Sequence, residues 1–175
     1  LQKVWEYYHN DSYWSYGVAY GDVDNDGWIE IIMLASADPG QRGIVFFEVD
    51  STMIGTENYP LPSEPTLMFD ITGTGAGHGV YQAAVGNVDT DPQNELIVTD
   101  YEYYKLYVLE DLNGDISNPD WHYEMIDTNF TGAVTAITMG DFDNDGFRDF
   151  AVAARPDCKL RIYENTGDED VYEVR

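Results

Sequence analysis

Gly21-Asp22-Val23-Asp24-Asn25-Asp26-Gly27-Trp28-Ile29-Glu30 decides the reading of this chain, because it recurs as Gly86-Asn87-Val88-Asp89-Thr90-Asp91-Pro92-Gln93-Asn94-Glu95 and as Gly140-Asp141-Phe142-Asp143-Asn144-Asp145-Gly146-Phe147-Arg148-Asp149. Counting from the residue after each glycine, positions one, three, five and nine carry oxygen-bearing side chains. They are Asp22, Asp24, Asp26 and Glu30; Asn87, Asp89, Asp91 and Glu95; Asp141, Asp143, Asp145 and Asp149. Alternate residues of a curling turn point into the same bend, so three short side chains and a later acid converge on one centre. A backbone carbonyl at position seven, from Trp28, Gln93 or Phe147, completes such a shell. Every donor is a hard oxygen, which selects calcium or magnesium over zinc or copper, and an irregular shell of six or more ligands favours calcium. Without a cation the carboxylates of one loop repel at close range.

The flanks repeat as well. Short runs of small and apolar residues precede each loop (Gly17 to Tyr20, Gln82 to Val85, Ala136 to Met139), and apolar runs follow it (Ile31 to Leu34, Leu96 to Val98, Phe150 to Ala153). A further β-rich run then ends on Glu48, Glu110 or Glu164, with a longer turn around Pro39-Gly40 in the first copy. Thr66 to Ile71 and Trp121 to Ile126 read as fourth strands, and Val4 to Tyr8 stands before the first loop as Trp121 to Ile126 stands before the third. The unit is therefore strand, acidic loop, strand, turn, strand, turn, strand, over roughly 55 to 65 residues, the size of one propeller blade. We expect an all-β chain, 1–175 as a single repeat array of about three blades of four antiparallel strands. The blade units fall at approximately 13–71, 79–126 and 132–175, with 1–9 as the outer strand of a preceding unit. The strand-like flanks, and Met33, Val98 and Val152 where an EF-hand places its bidentate Glu, exclude that motif. Up to three Ca2+ ions are expected. The Asn87–Glu95 loop should be the weakest site: Asn87 removes a charge, and Pro92 forbids the positive φ that Gly27 and Gly146 permit.

Gly-Asp-x-Asp-x-Asp-Gly-x-x-(Asp/Glu) between two strands, recurring at this period, resembles the FG-GAP and VCBS repeats, the calcium-binding blades of integrin α-subunit-like β-propellers. The resemblance implies calcium ligands at the positions named above, an extracellular or cell-surface location, and adhesion to a protein or glycan ligand. It also admits two alternatives: a fragment of a calcium-dependent polysaccharide lyase or hydrolase, or a structural spacer of a surface protein. Closed propellers use about four to eight blades, so additional blades or a homo-oligomer are expected to complete the ring.

Composition narrows the partners. Thirty-three acidic residues against 8 Lys and Arg leave a formal net charge of -25, which repels nucleic acid and anionic lipid, so no nucleic acid and no membrane insertion are expected. High-salt adaptation is a second reading of the same acidity. The 14 tyrosines, with Val, Ile and Thr throughout, favour strands. Cys158 is the single cysteine, so no intrachain disulfide forms. A start at Leu1 without a signal-like segment reads as a mature form or an excised stretch.

No catalytic motif is found, and the chain is read as non-enzymatic. Gly73 to Gly79 lacks the Lys-Ser/Thr and the helix of a phosphate loop and reads as a turn, and His9, His78 and His122 lie in unrelated contexts. The sequons at Asn10 and Asn129 read first as turns before the inner strand. Trp5 to Tyr8, Tyr13-Trp14 and Tyr101 to Lys105 are aromatic groups suited to packing between blades, to sugar stacking or to a protein interface.

Overall fold

The computed structural model describes residues 3, 5–7, 14–36, 42–49, 52, 61–70, 79–101, 104–156, 158–167 and 172–174. The side chains of 14, 36, 42, 68–70 and 172–174 are outside that description. The sequon at Asn10, His9, His78, Tyr13, Tyr103, the Pro39-Gly40 turn and most of the Gly73 to Gly79 stretch also lie outside the described residues.

Alternating and short continuous apolar runs, broken by Gly and Asp turns, produce strands and, among the described residues, no α-helix. The first sheet contains β1 (Trp14–Gly21), β2 (Glu30–Ser36), β3 (Arg42–Glu48) and β4 (Leu67–Asp70). The second contains β5 (Val80–Gly86), β6 (Glu95–Asp100), β7 (Leu106–Asp111) and β8 (Trp121–Asp127). The third contains β9 (Val134–Gly140), β10 (Asp149–Ala154), β11 (Lys159–Asn165) and β12 (Tyr172–Val174). Each sheet is an antiparallel meander in chain order, and each acidic loop is its first connection. The register is the same three times: Gly21 faces Glu30, Gly86 faces Glu95 and Gly140 faces Asp149. The fold is thus all-β with three antiparallel sheets. Among the described residues these sheets close into neither a barrel nor a complete propeller.

Strand periodicity decides how the sheets stack. β1 packs beside β5, and β5 beside β9. The middle sheet sends Leu96, Val98, Tyr107 and Leu109 into one core with Ile32, Leu34, Ile44 and Phe46 of the first sheet. From its other face, Ile97, Leu106 and Val108 pack with Val134, Phe150, Val152 and Tyr163 of the third. Successive side chains of a strand point to opposite faces, so a sheet buried on both sides reads as the continuous apolar run of Leu96 to Val98. At the two ends of the stack the covering is incomplete: Trp5, Tyr7 and Leu61 pack over Val45 and Phe47 on the outer face of the first sheet, while residues of β1 and of β11 stay exposed. Ile44, Leu106 and Leu160 occupy equivalent register positions opposite Leu34, Thr99 and Ala153. Ile44 and Leu106 are 0% exposed, whereas Leu160 is 68% exposed. At the other end Val18 and Tyr20 of β1 are exposed, while their counterparts Ala83 and Val85 pack in the first core.

The N-terminal segment packs on the first sheet. Its described residues Trp5, Glu6 and Tyr7 pair with none of the described strands. The rings of Trp5 and Tyr7 meet Phe47 of β3 edge-on, at centroid distances of 5.2 and 4.8 Å. Aromatic area is thereby buried against an apolar sheet face.

The second and third sheets are pinned together by a polar cluster. Asp127, at the end of β8, accepts from Arg161 Nη1 at 2.6 Å, from the Tyr163 hydroxyl and from the Asn129 N–H at 2.7 Å. Arg161 lies 4.0 Å over the Phe130 ring. Burial acts to raise the Asp127 pKa, but the Tyr163 bond, the Asn129 N–H and Arg161 together hold it below its ordinary value.

At the start of β9 the backbone approaches its neighbour so closely that a Cβ on Gly132 would sit 1.9 Å from the Arg155 carbonyl oxygen. Gly132→Ala should therefore displace the β10–β11 turn and destabilise the chain by about 2 kcal/mol. Urea unfolding checks this, and a midpoint equal to that of the parent would contradict the close approach.

Candidate metal centres

The local fold of each loop follows from its turn residues. Asn25 (φ 59) and Gly27 (φ 95), then Asn144 (φ 65) and Gly146 (φ 100), take left-handed backbone at positions four and six. Asn and Gly adopt that region most readily, and it curls the chain so that alternate carboxylates face inward. In the second loop Thr90 and Pro92 do not take it.

In all three loops the position-nine acid reaches back under the bend. Glu30 Oε2 accepts from the Val23 N–H at 2.6 Å, Glu95 Oε2 from the Val88 N–H at 2.6 Å, and Asp149 Oδ2 from the Phe142 N–H at 2.9 Å. Position-five carboxylates accept from the position-seven N–H: Asp26 from Trp28 at 2.7 Å, Asp91 from Gln93 at 2.8 Å, Asp145 from Phe147 at 2.8 Å. Trp28, Gln93 and Phe147 therefore enter the hydrogen-bond scheme through their N–H groups. Asp22 and Asp141 each accept from the position-six glycine at 3.1 Å, whereas in the second loop Asn87 donates to the Asp91 carbonyl.

Three groups of acids converge: Asp22, Asp24 and Glu30; Asp89, Asp91 and Glu95; Asp141, Asp143 and Asp149. In each, one oxygen per residue lies within 4.8 Å of the others. Asp26 and Asp145 stand outside these trios, while Asp91, with the same turn bond, is inside the second. Each cluster has the donor chemistry to hold a metal ion. Burial differs among them: the third is exposed apart from Asp149, whereas Glu30 and Glu95 are 0% and 1% exposed.

Two buried oxygens, Glu30 Oε1 and Glu95 Oε1, have no hydrogen-bond partner in the protein, nor does Asp22 Oδ1. Burial, reinforced by neighbouring acids and only partly offset by the Val23 and Val88 N–H groups, raises Glu30 and Glu95 to about 8. The Asp22 carboxyl is raised for the same first reason. Register sharpens the problem, because Glu30 pairs directly with Glu48 and Glu95 with Glu110 across the ladder. Like charges placed opposite one another are unfavourable unless something neutralises them.

Several contributors to these centres escaped sequence reasoning. Asn25 staples the first two loops: its amide donates to the Pro92 carbonyl at 2.7 Å and its oxygen accepts from the Asn94 N–H at 2.8 Å. The Asn94 amide returns a bond to the Asp22 carbonyl at 2.7 Å. Asp24 accepts from the Ile116 N–H at 2.8 Å, so the β7–β8 turn of the second sheet rests on the first loop. Asn165 donates its N–H to Asp149 at 3.1 Å and its amide to the Asp89 carbonyl at 3.2 Å, joining loops two and three. Asn at turn positions was the visible signal; its partner across 67 or more residues was not. The β7–β8 turn is itself Asx-rich, but Asp111 spends its oxygens on the Asp115 and Asp120 N–H groups at 3.0 and 2.8 Å. No family model matches the chain, and neither a curated protein nor a solved structure is significantly similar to it.

Proposed function

We propose that the chain is a calcium-binding array of β-propeller-type blades that recognises a protein or glycan at the cell surface or outside the cell. The observation that carries the metal half is the pair of buried, unsatisfied oxygens Glu30 Oε1 and Glu95 Oε1, each on a residue of a converging acidic trio. A buried carboxylate with one oxygen left unpartnered is costly, and a divalent cation removes that cost while neutralising its neighbours. The donor set consists of hard oxygens and contains neither His nor Cys, which suits calcium. Asp22, Asp24, Asp26 and Glu30 would hold one ion with the Trp28 carbonyl. Asn87, Asp89, Asp91 and Glu95 would hold a second with that of Gln93, and Asp141, Asp143, Asp145 and Asp149 a third with that of Phe147.

The blade reading draws support from the thrice-repeated meander and from the open end faces at Leu160 and at Val18 and Tyr20. Each occupies a position that an adjacent sheet covers in the middle of the stack. Further blades or a second copy of the chain would cover them in the same way.

Isothermal titration with calcium, magnesium and zinc chlorides tests the metal half. Calcium should bind at up to three sites, the Asn87–Glu95 site most weakly, with Glu30→Gln removing one of the tighter ones. An absence of calcium heat at millimolar concentration, or tighter binding of zinc, overturns the assignment.

A further inference from the structure

The strand ends opposite the acidic loops, roughly 20 Å away along six- to seven-residue strands, carry a second constellation. Each first strand has an irregularity at the same repeat position: the register skips Tyr16 in β1, Tyr81 in β5 and Thr135 in β9. β-Bulges re-aim side chains out of the ladder and recur beside binding sites. Tyr16 stacks on Tyr81 with centroids 5.1 Å apart and 30° between planes, and Tyr81 stacks on Tyr101 at 5.3 Å and 21°. This three-ring stack fixes Tyr101 at the edge of a pocket of about 460 Å³ between the second and third sheets. Tyr101, Tyr104, Gly132, Ala133, Arg155 and Pro156 line it.

Tyr101 and Arg155 are equivalent in the repeat and anchored alike, the Tyr101 N–H on the Gly79 carbonyl at 2.8 Å and the Arg155 N–H on the Ala133 carbonyl at 2.9 Å. Tyr104 holds left-handed backbone at φ 58, which a bulky residue adopts only under strain. Such strain gathers at ligand sites, where the side chain is worth its conformational cost. Tyr101 and Tyr104 are 36% and 39% exposed, so their rings are available at the surface.

We propose that this pocket binds a pyranose unit of an uncharged glycan, its C–H face on the Tyr101 and Tyr104 rings and its hydroxyls accepting from the Arg155 guanidinium. A sugar ring offers an apolar face rimmed by hydroxyls, matching aromatic surface beside the five-donor fork of arginine. The volume suits one or two sugar rings, whereas a stable protein interface needs about 800 Å² per partner. A formal net charge of -25 disfavours acidic polysaccharides. The inference rests on the recognition half of the proposed function and is independent of the metal half.

The test is an array of uncharged oligosaccharides (gluco-, manno-, galacto- and N-acetylglucosamine series), acidic ones (oligogalacturonate, sialyllactose) and unrelated peptides, probed with the whole chain in saturating calcium. At least one uncharged oligosaccharide should be retained, with affinity falling at least tenfold in Arg155→Ala and in Tyr104→Gly. Tyr104→Gly also relieves the left-handed strain, so its melting midpoint should equal or exceed that of the parent. Loss of binding then reports the ring rather than the fold. Equal retention by both variants would leave recognition standing and overturn this pocket. Preference for acidic glycans or peptides overturns the ligand class. Retention of no glycan overturns the inference, while calcium titration decides the metal sites separately.

Discussion

Millimolar calcium is expected to raise the melting midpoint of the chelated protein by about 10 °C. A single site held at one hundred times its dissociation constant contributes about 2.7 kcal/mol. In a chain of this size each kcal/mol moves the midpoint by about 2–4 °C. The pH dependence gives the sign. Burial raises Glu30 and Glu95 from 4.5 to about 8, so folding favours their protonated forms. That contribution is fully present below pH 4.5 and is lost as pH rises through about 8. In chelator the midpoint should therefore fall between pH 5 and 8, and calcium should flatten the fall by taking the place of the protons. Glu30→Gln makes the same point by chemistry: at pH 8 in chelator it should melt no lower than the parent, while its calcium-induced rise shrinks. Parallel pH curves with and without calcium would falsify the coupling of ion to buried carboxylate.

Asp127→Ala should destabilise the chain by about 3–5 kcal/mol, a fall of about 10 °C or more. Asp127 and Arg161 are both largely buried, with side chains 6% and 13% exposed, so truncating the acid leaves the guanidinium without its counter-charge, with the Asn129 carbonyl at 2.7 Å still accepting from it. It also removes the acceptor of the buried Tyr163 hydroxyl. Because Asp127 titrates below its ordinary value of 3.8, its contribution is present above pH 3.8 and disappears as pH falls through the folded value. A double-mutant cycle with Arg161→Ala isolates the coupling, expected at or above about 1 kcal/mol. A midpoint change under about 2 °C for Asp127→Ala would remove this cluster as the pin between the second and third sheets.

The two predictions concern different levels of the molecule, and the sequence spoke unequally to them. The acidic clusters are hairpin-local: Asp22, Asp24 and Glu30 lie within nine residues of one another, so spacing alone announces that they share a bend. Asp127, Arg161 and Tyr163 are joined across 34 to 36 residues, and nothing in Trp121 to Asp127 distinguishes its last acid as a buried one.

By itself the sequence determined the strands, their thrice-repeated order and the acidic bends between them, because alternation, turn chemistry and carboxylate spacing are short-range properties of a chain. Tertiary structure alone decided that Asn25 meets Pro92 and Asn94, that the Ile116 N–H lands on Asp24, and that Asn165 joins two loops. It alone also turned Trp5 and Tyr7 onto Phe47, and aligned Tyr16, Tyr81 and Tyr101 through bulges that have no compositional mark. Those contacts depend on how sheets stack face to face, and stacking is settled by the summed fit of many side chains rather than by any one stretch of residues.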